Sequence, residues 1–184
     1  MAEFHPDEEG LEKAIKGQTL TQIFDRFYGG ELECKRPLIT ARLDEYERHM
    51  SFDYVEGFKH FLTDLRTHGV MTAVVTSSNM DKMANVYDKH PEFKTLFDAI
   101  LTAEDFSESK PSPDCYLKAA ARFNVSPSEC IVFEDSFNGL KAGRAAGCKV
   151  IGLSTTNAPD VIAPYADAVV PNFLTLDYYR CAML

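Results

Sequence analysis

Apolar positions in the second part of the chain form short continuous runs separated by helix-spaced stripes. The runs AVV (73–75), AIL (99–101), IVF (131–133) and VIGL (150–153) are predicted as strands, and DAVV (167–170) as a last short strand. Between them, apolar residues recur every three or four positions, which predicts amphipathic helices. Strands that alternate with helices predict βαβ units and a parallel sheet, and near-continuous apolar strands indicate that helices cover both faces.

The first 52 residues have a different pattern, in which no strand is predicted. The segment LTQIFDRFY places Leu20, Ile23, Phe24 and Phe27 on one helix face, and the pair Gly29-Gly30 ends that helix. A longer and more charged helix is predicted to follow. We therefore expect an all-helical region over residues 1–52 and an α/β region over residues 53–184.

Composition and charge narrow the classes of partner. The 184 residues carry 28 acidic and 19 basic side chains, for a formal net charge of −9, which argues against nucleic acids and anionic membranes as partners. No segment approaches the roughly 20 consecutive apolar residues of a membrane helix. The five cysteines show no C-x-x-C spacing, which is typical of reduced thiols in a cytoplasmic protein. Small molecules remain the expected ligands, and the negative charge tolerates a bound cation.

Polar side chains that could bind a ligand or take part in a reaction follow the predicted strands. In an open parallel sheet, ligands bind beyond the carboxyl ends of the strands. The groups at these positions are, in chain order, Thr76-Ser77-Ser78-Asn79, Lys110, Glu134-Asp135 and the segment Ser154 to Asn157. Hydroxyl groups, one amine and two carboxylates are therefore expected to meet at one edge of the sheet.

The combination predicts a phosphate site with a metal ion beside it. Hydroxyls and free N–H groups at the start of a helix form an anion site, and a lysine adds a point charge suited to phosphate. The adjacent carboxylates of Glu134 and Asp135 would repel each other unless a cation lay between them. Mg²⁺ prefers hard oxygen ligands and often takes few carboxylates, with water and substrate phosphate filling the other positions. Mg²⁺ is therefore the predicted cofactor.

Taken singly, each group also fits a purely structural role. Thr76 to Asn79 suit the cap of the next helix, Lys110 suits an exposed loop, and Asp135 suits an N-cap with Glu134 at the surface. The segment Ser154 to Asn157 is interpreted as a polar turn. Convergence of Thr76, Lys110 and Asp135 on one cavity is what separates the functional interpretation from the structural one.

Three segments together resemble the haloacid dehalogenase-like hydrolases. They are VVTSSN (74–79), KPSPDCY (110–116) and VFEDSFNGLKAGRAAG (132–147), in this order and spacing. The similarity is greatest to the β-phosphoglucomutase-like and sugar-phosphatase branch, and it covers most of residues 53–170. It implies a Rossmann-like parallel sheet flanked by helices over residues 53–184, and a small all-helical cap over residues 1–52.

The resemblance also implies roles for individual residues. The Thr76 hydroxyl would bind the transferring phosphate, together with backbone N–H groups near Ser77 and Ser78. Lys110 would offset the negative charge of the nucleophile and the phosphate. The metal ligands would be Asp135 and, beside it, Glu134.

One motif of the family is missing. Its nucleophile and its general acid/base are aspartates of a D-x-D-x-(T/V) motif after a first strand, and no two aspartates here are separated by one residue. The resemblance places that strand mid-sheet, between the runs IVF and AVV. We favour the interpretation that the chain is a truncated form of a longer enzyme. The alternatives are a short protein that binds phosphorylated ligands without turnover, or a strand supplied by another source.

The cap segment bears on the substrate. IKGQTLTQIF (15–24) resembles a segment that in mutases carries Lys-Gly and then an arginine that binds the substrate's far phosphate. Lys16-Gly17 is present, but Leu20 occupies the matching place, and an apolar residue cannot hold a second phosphate. We therefore expect a phosphohydrolase of a small phosphorylated metabolite such as a sugar phosphate, with Lys16 and Gln18 as cap contacts. A β-phosphoglucomutase-type phosphomutase is an alternative, and the oligomeric state stays open.

Overall fold

The computed structural model describes residues 20–183, so the predicted cap contacts Lys16 and Gln18 lie outside the described residues. Helices and strands alternate from residue 58 onward, as the sequence predicts, except that a second, short helix, Phe93–Leu96, follows Met80–Lys89 before the next strand. The helices are α1 Leu20–Phe27, α2 Arg36–Arg48, α3 Phe58–Thr67, α4 Met80–Lys89, α5 Phe93–Leu96, α6 Asp114–Arg122, α7 Phe137–Ala146, α8 Pro159–Ile162 and α9 Tyr178–Met183. The strands are β1 Ala73–Val75, β2 Ala99–Leu101, β3 Ile131–Glu134, β4 Lys149–Leu153 and β5 Ala168–Val170, and 3-10 turns span Gly30–Lys35, Ala103–Asp105, Pro127–Glu129 and Ala163–Tyr165.

All strand pairs among the described residues are parallel, but they form two separate sheets. Strand β1 pairs with β2, with Val74 opposite Ile100. Strand β4 lies between β3 and β5, with Phe133 opposite Ile151 on one side. Within residues 20–183, β1 and β3 are not paired with each other. The sheet is therefore divided between the two strands where the family resemblance implies a missing strand.

Burial of the strands reflects this division. Strand β4 has a neighbour on each side, and its Val150 and Ile151 are fully buried. The three residues of β1 are only half-buried, and Ile131 of β3 is 37% exposed. Among residues 20–183, β1 and β3 thus each have one backbone edge without a strand partner, and a further strand can add at such an edge.

Helices α1 and α2 have a small core of their own. Its buried members are Ile23, Phe24, Phe27, Tyr28 and Ile39. Arg36 stabilises the end of α1, because its Nε donates to the Tyr28 carbonyl at 2.8 Å and its Nη2 to the Phe24 carbonyl at 3.1 Å. A cation is favourable at this position, since the last carbonyls of a helix carry partial negative charge.

Helix α7 has clear start and stop signals and a face of small residues. The Ser136 hydroxyl accepts the Gly139 N–H at 3.1 Å as an N-cap, and Gly147 ends the helix with a φ of +81°. The buried residues of α7 are Gly139, Leu140, Ala142, Gly143 and Ala146. These mostly small side chains let α7 pack closely against β3 and β4, which brings its N-terminus to the edge of the sheet.

Two further observations concern membrane-spanning helices and cysteines. Among residues 20–183, no helix is both long enough and apolar enough to cross a membrane. The cysteines at positions 34, 115, 130, 148 and 181 are all free thiols.

Candidate functional site

A cavity of about 380 Å³ opens at the carboxyl ends of β1 and β3. Its lining residues are Val75, Thr76, Ser77, Lys110, Glu134, Asp135, Ser136 and Thr156. The structure therefore brings Thr76, Lys110 and Asp135 to one cavity from three separate loops. Ser78 is not among the lining residues.

Lys110 lines this cavity and is only 6% exposed, so it is not a solvated loop lysine. Its ammonium group forms an ion pair with Glu134 and donates to the Val75 carbonyl at 3.2 Å. The same group lies 4.9 Å from the centroid of the Tyr116 ring, a cation–π contact. Lys110 thus holds a fixed positive charge between the ends of β1 and β3.

Both carboxylate oxygens of Glu134 have protein donors. Oε1 accepts from Lys110 and from the Tyr116 hydroxyl at 2.8 Å, and Oε2 accepts from the Ser136 hydroxyl at 3.0 Å. Burial alone would raise the pKa of Glu134, but the charge of Lys110 and the hydrogen bonds to the carboxylate outweigh this and lower it. A Cβ atom at position 139 would overlap the Glu134 carboxyl group, so Gly139 makes room for it. Glu134 therefore orients Lys110, and its role as a metal ligand stays a prediction.

Asp135 is held by the loop that follows β4. Its Oδ2 accepts hydrogen bonds from the hydroxyls of Thr156 and, at 3.4 Å, Thr155. Its main-chain carbonyl accepts from Asn157 Nδ2 at 2.9 Å. Within residues 20–183, Oδ1 has no hydrogen-bond donor, so this oxygen is available to a ligand in the cavity.

The loop after β1 has one hydroxyl group that can donate into the cavity. Other polar groups of this loop form hydrogen bonds within the loop and with the start of α4. The Thr76 hydroxyl accepts the Ser78 N–H at 3.0 Å, which leaves its own hydrogen to donate into the cavity. The Asn79 side chain accepts the Lys82 N–H at 3.0 Å and caps α4, as the structural interpretation expects. The predicted phosphate contacts of Ser77 and Ser78 stay predictions, and Ser77 is the one of the two that lines the cavity.

The donor set fits a magnesium ion held by one carboxylate. The described residues include no group of three or more His, Cys, Asp or Glu side chains placed to hold a metal by themselves. Mg²⁺ is commonly bound through one or two carboxylates, with water and substrate phosphate as its other ligands. Asp135 lines the cavity together with Lys110 and Thr76, and its Oδ1, which has no donor within residues 20–183, suits that mode.

Some residues of the site escape the sequence analysis. Tyr116 sits in an apolar helix stripe, so nothing in the pattern marks its hydroxyl as a partner of Glu134. Thr156 and Asn157 were interpreted as a polar turn, although they follow a strand as the other site residues do. Their position at the carboxyl end of β4 is the signal that identifies them.

Known proteins resemble the chain over most of its length. It is 31% identical over 154 residues to a bifunctional riboflavin kinase/FMN phosphatase of Arabidopsis thaliana, which covers 79% of the chain and 39% of that protein. It is 38% identical over 147 residues to hexitol phosphatase A of Escherichia coli (strain K12), which covers 79% of the chain and 66% of that protein. The chain thus spans less than two-thirds of the length of either relative.

Solved structures share the fold. A HAD hydrolase of family IA, variant 3, from Entamoeba histolytica superposes with a TM-score of 0.79 at 22% identity, over 94% of this chain and 81% of that one. The family model described as haloacid dehalogenase-like hydrolase matches residues 2–153. With the cavity formed by the three segments that carry the resemblance, these matches show that the chain belongs to the haloacid dehalogenase-like hydrolases.

Proposed function

We propose that this chain forms the main part of a Mg²⁺-dependent phosphohydrolase that acts on a small phosphorylated metabolite such as a sugar phosphate. The observation that supports this most directly is the convergence of Thr76, Lys110 and Asp135 on one cavity. A donor hydroxyl, a fixed ammonium and a free carboxylate oxygen are the groups that a bound phosphoryl group with a cation requires. The phosphatase names of both relatives agree with this chemistry.

In this proposal each residue has a distinct task. Thr76 donates its hydroxyl hydrogen to a phosphoryl oxygen, and the Lys110 ammonium offsets the charge that develops on the transferring group. Glu134 holds the Lys110 ammonium in position, because the two form a buried ion pair. Asp135 Oδ1 would hold Mg²⁺, which when bound supplies further positive charge to the phosphoryl oxygens.

The nucleophilic aspartate is proposed to come from outside this chain, on a strand between β1 and β3. In the described residues, both strands have an edge without a strand partner, and both end at the cavity, at Val75 and Glu134. A parallel strand in this gap would also end at the cavity and would place its following residues beside Lys110. The aspartate would attack phosphorus as the P–O bond to the metabolite breaks, and the metabolite would leave as an alcohol that takes a proton from the general acid of the same external segment. Water would then hydrolyse the acyl-phosphate, which releases inorganic phosphate and regenerates the aspartate.

The helical region is proposed to act as a cap that covers the substrate. Two contacts join it to the α/β region. Glu47 Oε1 of α2 lies 2.5 Å from Lys82 Nζ of α4, and the carbonyl of Ser51, which follows α2, lies 2.9 Å from His90 Nε2. Lys16 and Gln18 are proposed as substrate contacts of this cap. A single phosphate is the expected recognition element, which favours a phosphatase over a phosphomutase. The free thiols suit the proposed cytoplasmic location.

The test is an activity assay with and without the missing strand. The 184-residue chain is assayed on p-nitrophenyl phosphate with Mg²⁺, alone and with a fused N-terminal segment that carries a strand and a D-x-D motif. We expect near-zero turnover alone and turnover in the fusion that Asp135→Asn and Lys110→Ala abolish. Asp160→Asn, at an exposed acid on α8, is the matched control and should leave turnover unchanged. A fusion insensitive to Asp135→Asn would overturn the proposal.

A second candidate is a phosphometabolite-binding protein without turnover, which the absence of a D-x-D spacing favours. It predicts phosphate binding by the 184-residue chain that Lys110→Ala weakens, and no activity in any fusion. Transfer of phosphate between two positions of a sugar, without release of free phosphate, would instead indicate a phosphomutase.

A further inference from the structure

Three consecutive residues of the loop after β4 direct their side chains at Asp135. The hydroxyls of Thr155 and Thr156 donate to its Oδ2, and Asn157 donates to its main-chain carbonyl. The register of the sheet explains the approach, since Glu134 lies opposite Gly152 and the segment after β4 must run beside the residue after Glu134. The loop therefore contacts both the carboxylate and the main-chain carbonyl of Asp135.

These three side chains do not cap the helix that follows their loop. Helix α8 begins after Ala158, which makes no side-chain capping bond, so the threonines and the asparagine are not its cap. Instead, their polar groups are used on Asp135. A tight turn alone would not require two hydroxyls on one carboxylate oxygen.

The consequence is a carboxylate with one oxygen occupied and one free. Within residues 20–183, Oδ2 has hydroxyl donors and Oδ1 has no donor. Ca²⁺ takes six to eight oxygens and readily accepts both oxygens of one carboxylate, whereas Mg²⁺ requires octahedral geometry with shorter bonds. A carboxylate restricted to one oxygen therefore disfavours the larger ion more than the smaller one.

Resting on the proposed role of Asp135 as the metal ligand, we propose that Thr156 is a positioning residue that sets metal selectivity. Its hydroxyl holds Oδ2, restricts Asp135 to coordination through Oδ1, and thereby makes the site prefer Mg²⁺ over Ca²⁺. Thr155, whose contact is longer and whose side chain is exposed, contributes less.

The test measures metal binding by the full 184-residue protein without substrate. The free Mn²⁺ signal in electron paramagnetic resonance reports Mn²⁺ binding, and competition with Mg²⁺ or Ca²⁺ gives the affinity for each. Thr156→Val removes the hydroxyl at nearly constant volume, and Thr156→Ser keeps it as the matched control. Thr156→Ala is the second hydroxyl-free variant should the valine variant not fold.

We expect Thr156→Val to weaken Mg²⁺ binding by about tenfold, the lower end for loss of a partner of a metal ligand, with a smaller change for Ca²⁺. The preference for Mg²⁺ over Ca²⁺ should fall accordingly, and Thr156→Ser should keep it. If Thr156→Val changed the affinities for Mg²⁺ and Ca²⁺ equally, or changed neither, the proposed role of Thr156 would be overturned, while the metal role of Asp135 would stand. Unchanged Mn²⁺ binding in Asp135→Asn, or no binding by the unmodified protein, would overturn the metal role of Asp135 as well.

Discussion

The ammonium of Lys110 and the carboxylate of Glu134 form a buried ion pair that joins the loop before α6 to the end of β3. The side chain of Lys110 is 7% exposed and that of Glu134 is 11% exposed. Two charges at such a depth are stable only as a pair, since each alone would lack its hydration. The same ion pair therefore stabilises the fold and positions Lys110 in the cavity.

Removing one member of this pair should destabilise the protein strongly. Glu134→Gln leaves the Lys110 charge buried without a counterion, and we expect the free energy of unfolding to fall by about 3–5 kcal/mol. Urea unfolding followed by circular dichroism measures this change. Glu45→Gln is the matched control, because the Glu45–Arg48 pair is exposed and should contribute less than about 1 kcal/mol. Similar losses in the two variants would contradict the expectation.

Acid should destabilise the protein partly through Glu134. The folded-state pKa of Glu134 is lowered, so its contribution is present above the unfolded-state pKa, about 4.3, and is lost as the pH falls through the folded-state pKa. We expect the free energy of unfolding to drop below about pH 4.3, and to drop less steeply in Glu134→Gln. Urea unfolding across a pH series measures both slopes. Parallel pH profiles for the two proteins would argue that Glu134 keeps an ordinary pKa.

The Tyr116 hydroxyl should contribute to the same cluster. Tyr116→Phe keeps the ring over Lys110 and removes only the hydrogen bond to the charged Glu134, with an expected loss of about 1.5–3 kcal/mol. Tyr165→Phe is a suitable control, because in the described part of the chain the Tyr165 hydroxyl has no hydrogen-bond partner. Chemical unfolding that does not distinguish Tyr116→Phe from Tyr165→Phe would exclude a role for the hydroxyl.

The divided sheet should make the chain prone to association. In the part of the chain that the structure describes, β1 and β3 each have one edge that pairs with no strand, and such edges pair readily with strands of other molecules. We expect the 184-residue chain alone to melt at low temperature or to self-associate in analytical ultracentrifugation. Fusion of the strand segment should yield a monomer with a higher melting temperature. A monodisperse and thermally robust monomer without that segment would show that the open edges are tolerated.

Much of the fold was predictable from local pattern. The runs AVV, AIL and IVF became strands at the expected places, because a short apolar run between turn residues has few other ways to be buried. The convergence of Thr76, Lys110 and Asp135 was also predictable. Parallel strands place their carboxyl ends on one edge of a sheet, so polar residues after each strand must meet there.

Side-chain partners were decided by the tertiary structure. The sequence indicates that Glu134 and Asp135 are adjacent acids, but only the fold shows that Glu134 faces Lys110 and Tyr116 while Asp135 faces Thr156. Neighbouring residues at the end of a strand point in different directions, and what each one meets depends on helices and loops far along the chain. The amino-acid sequence determined which chemical groups reach the cavity, and the packing of α6, α7 and the loop after β4 determined their pairing.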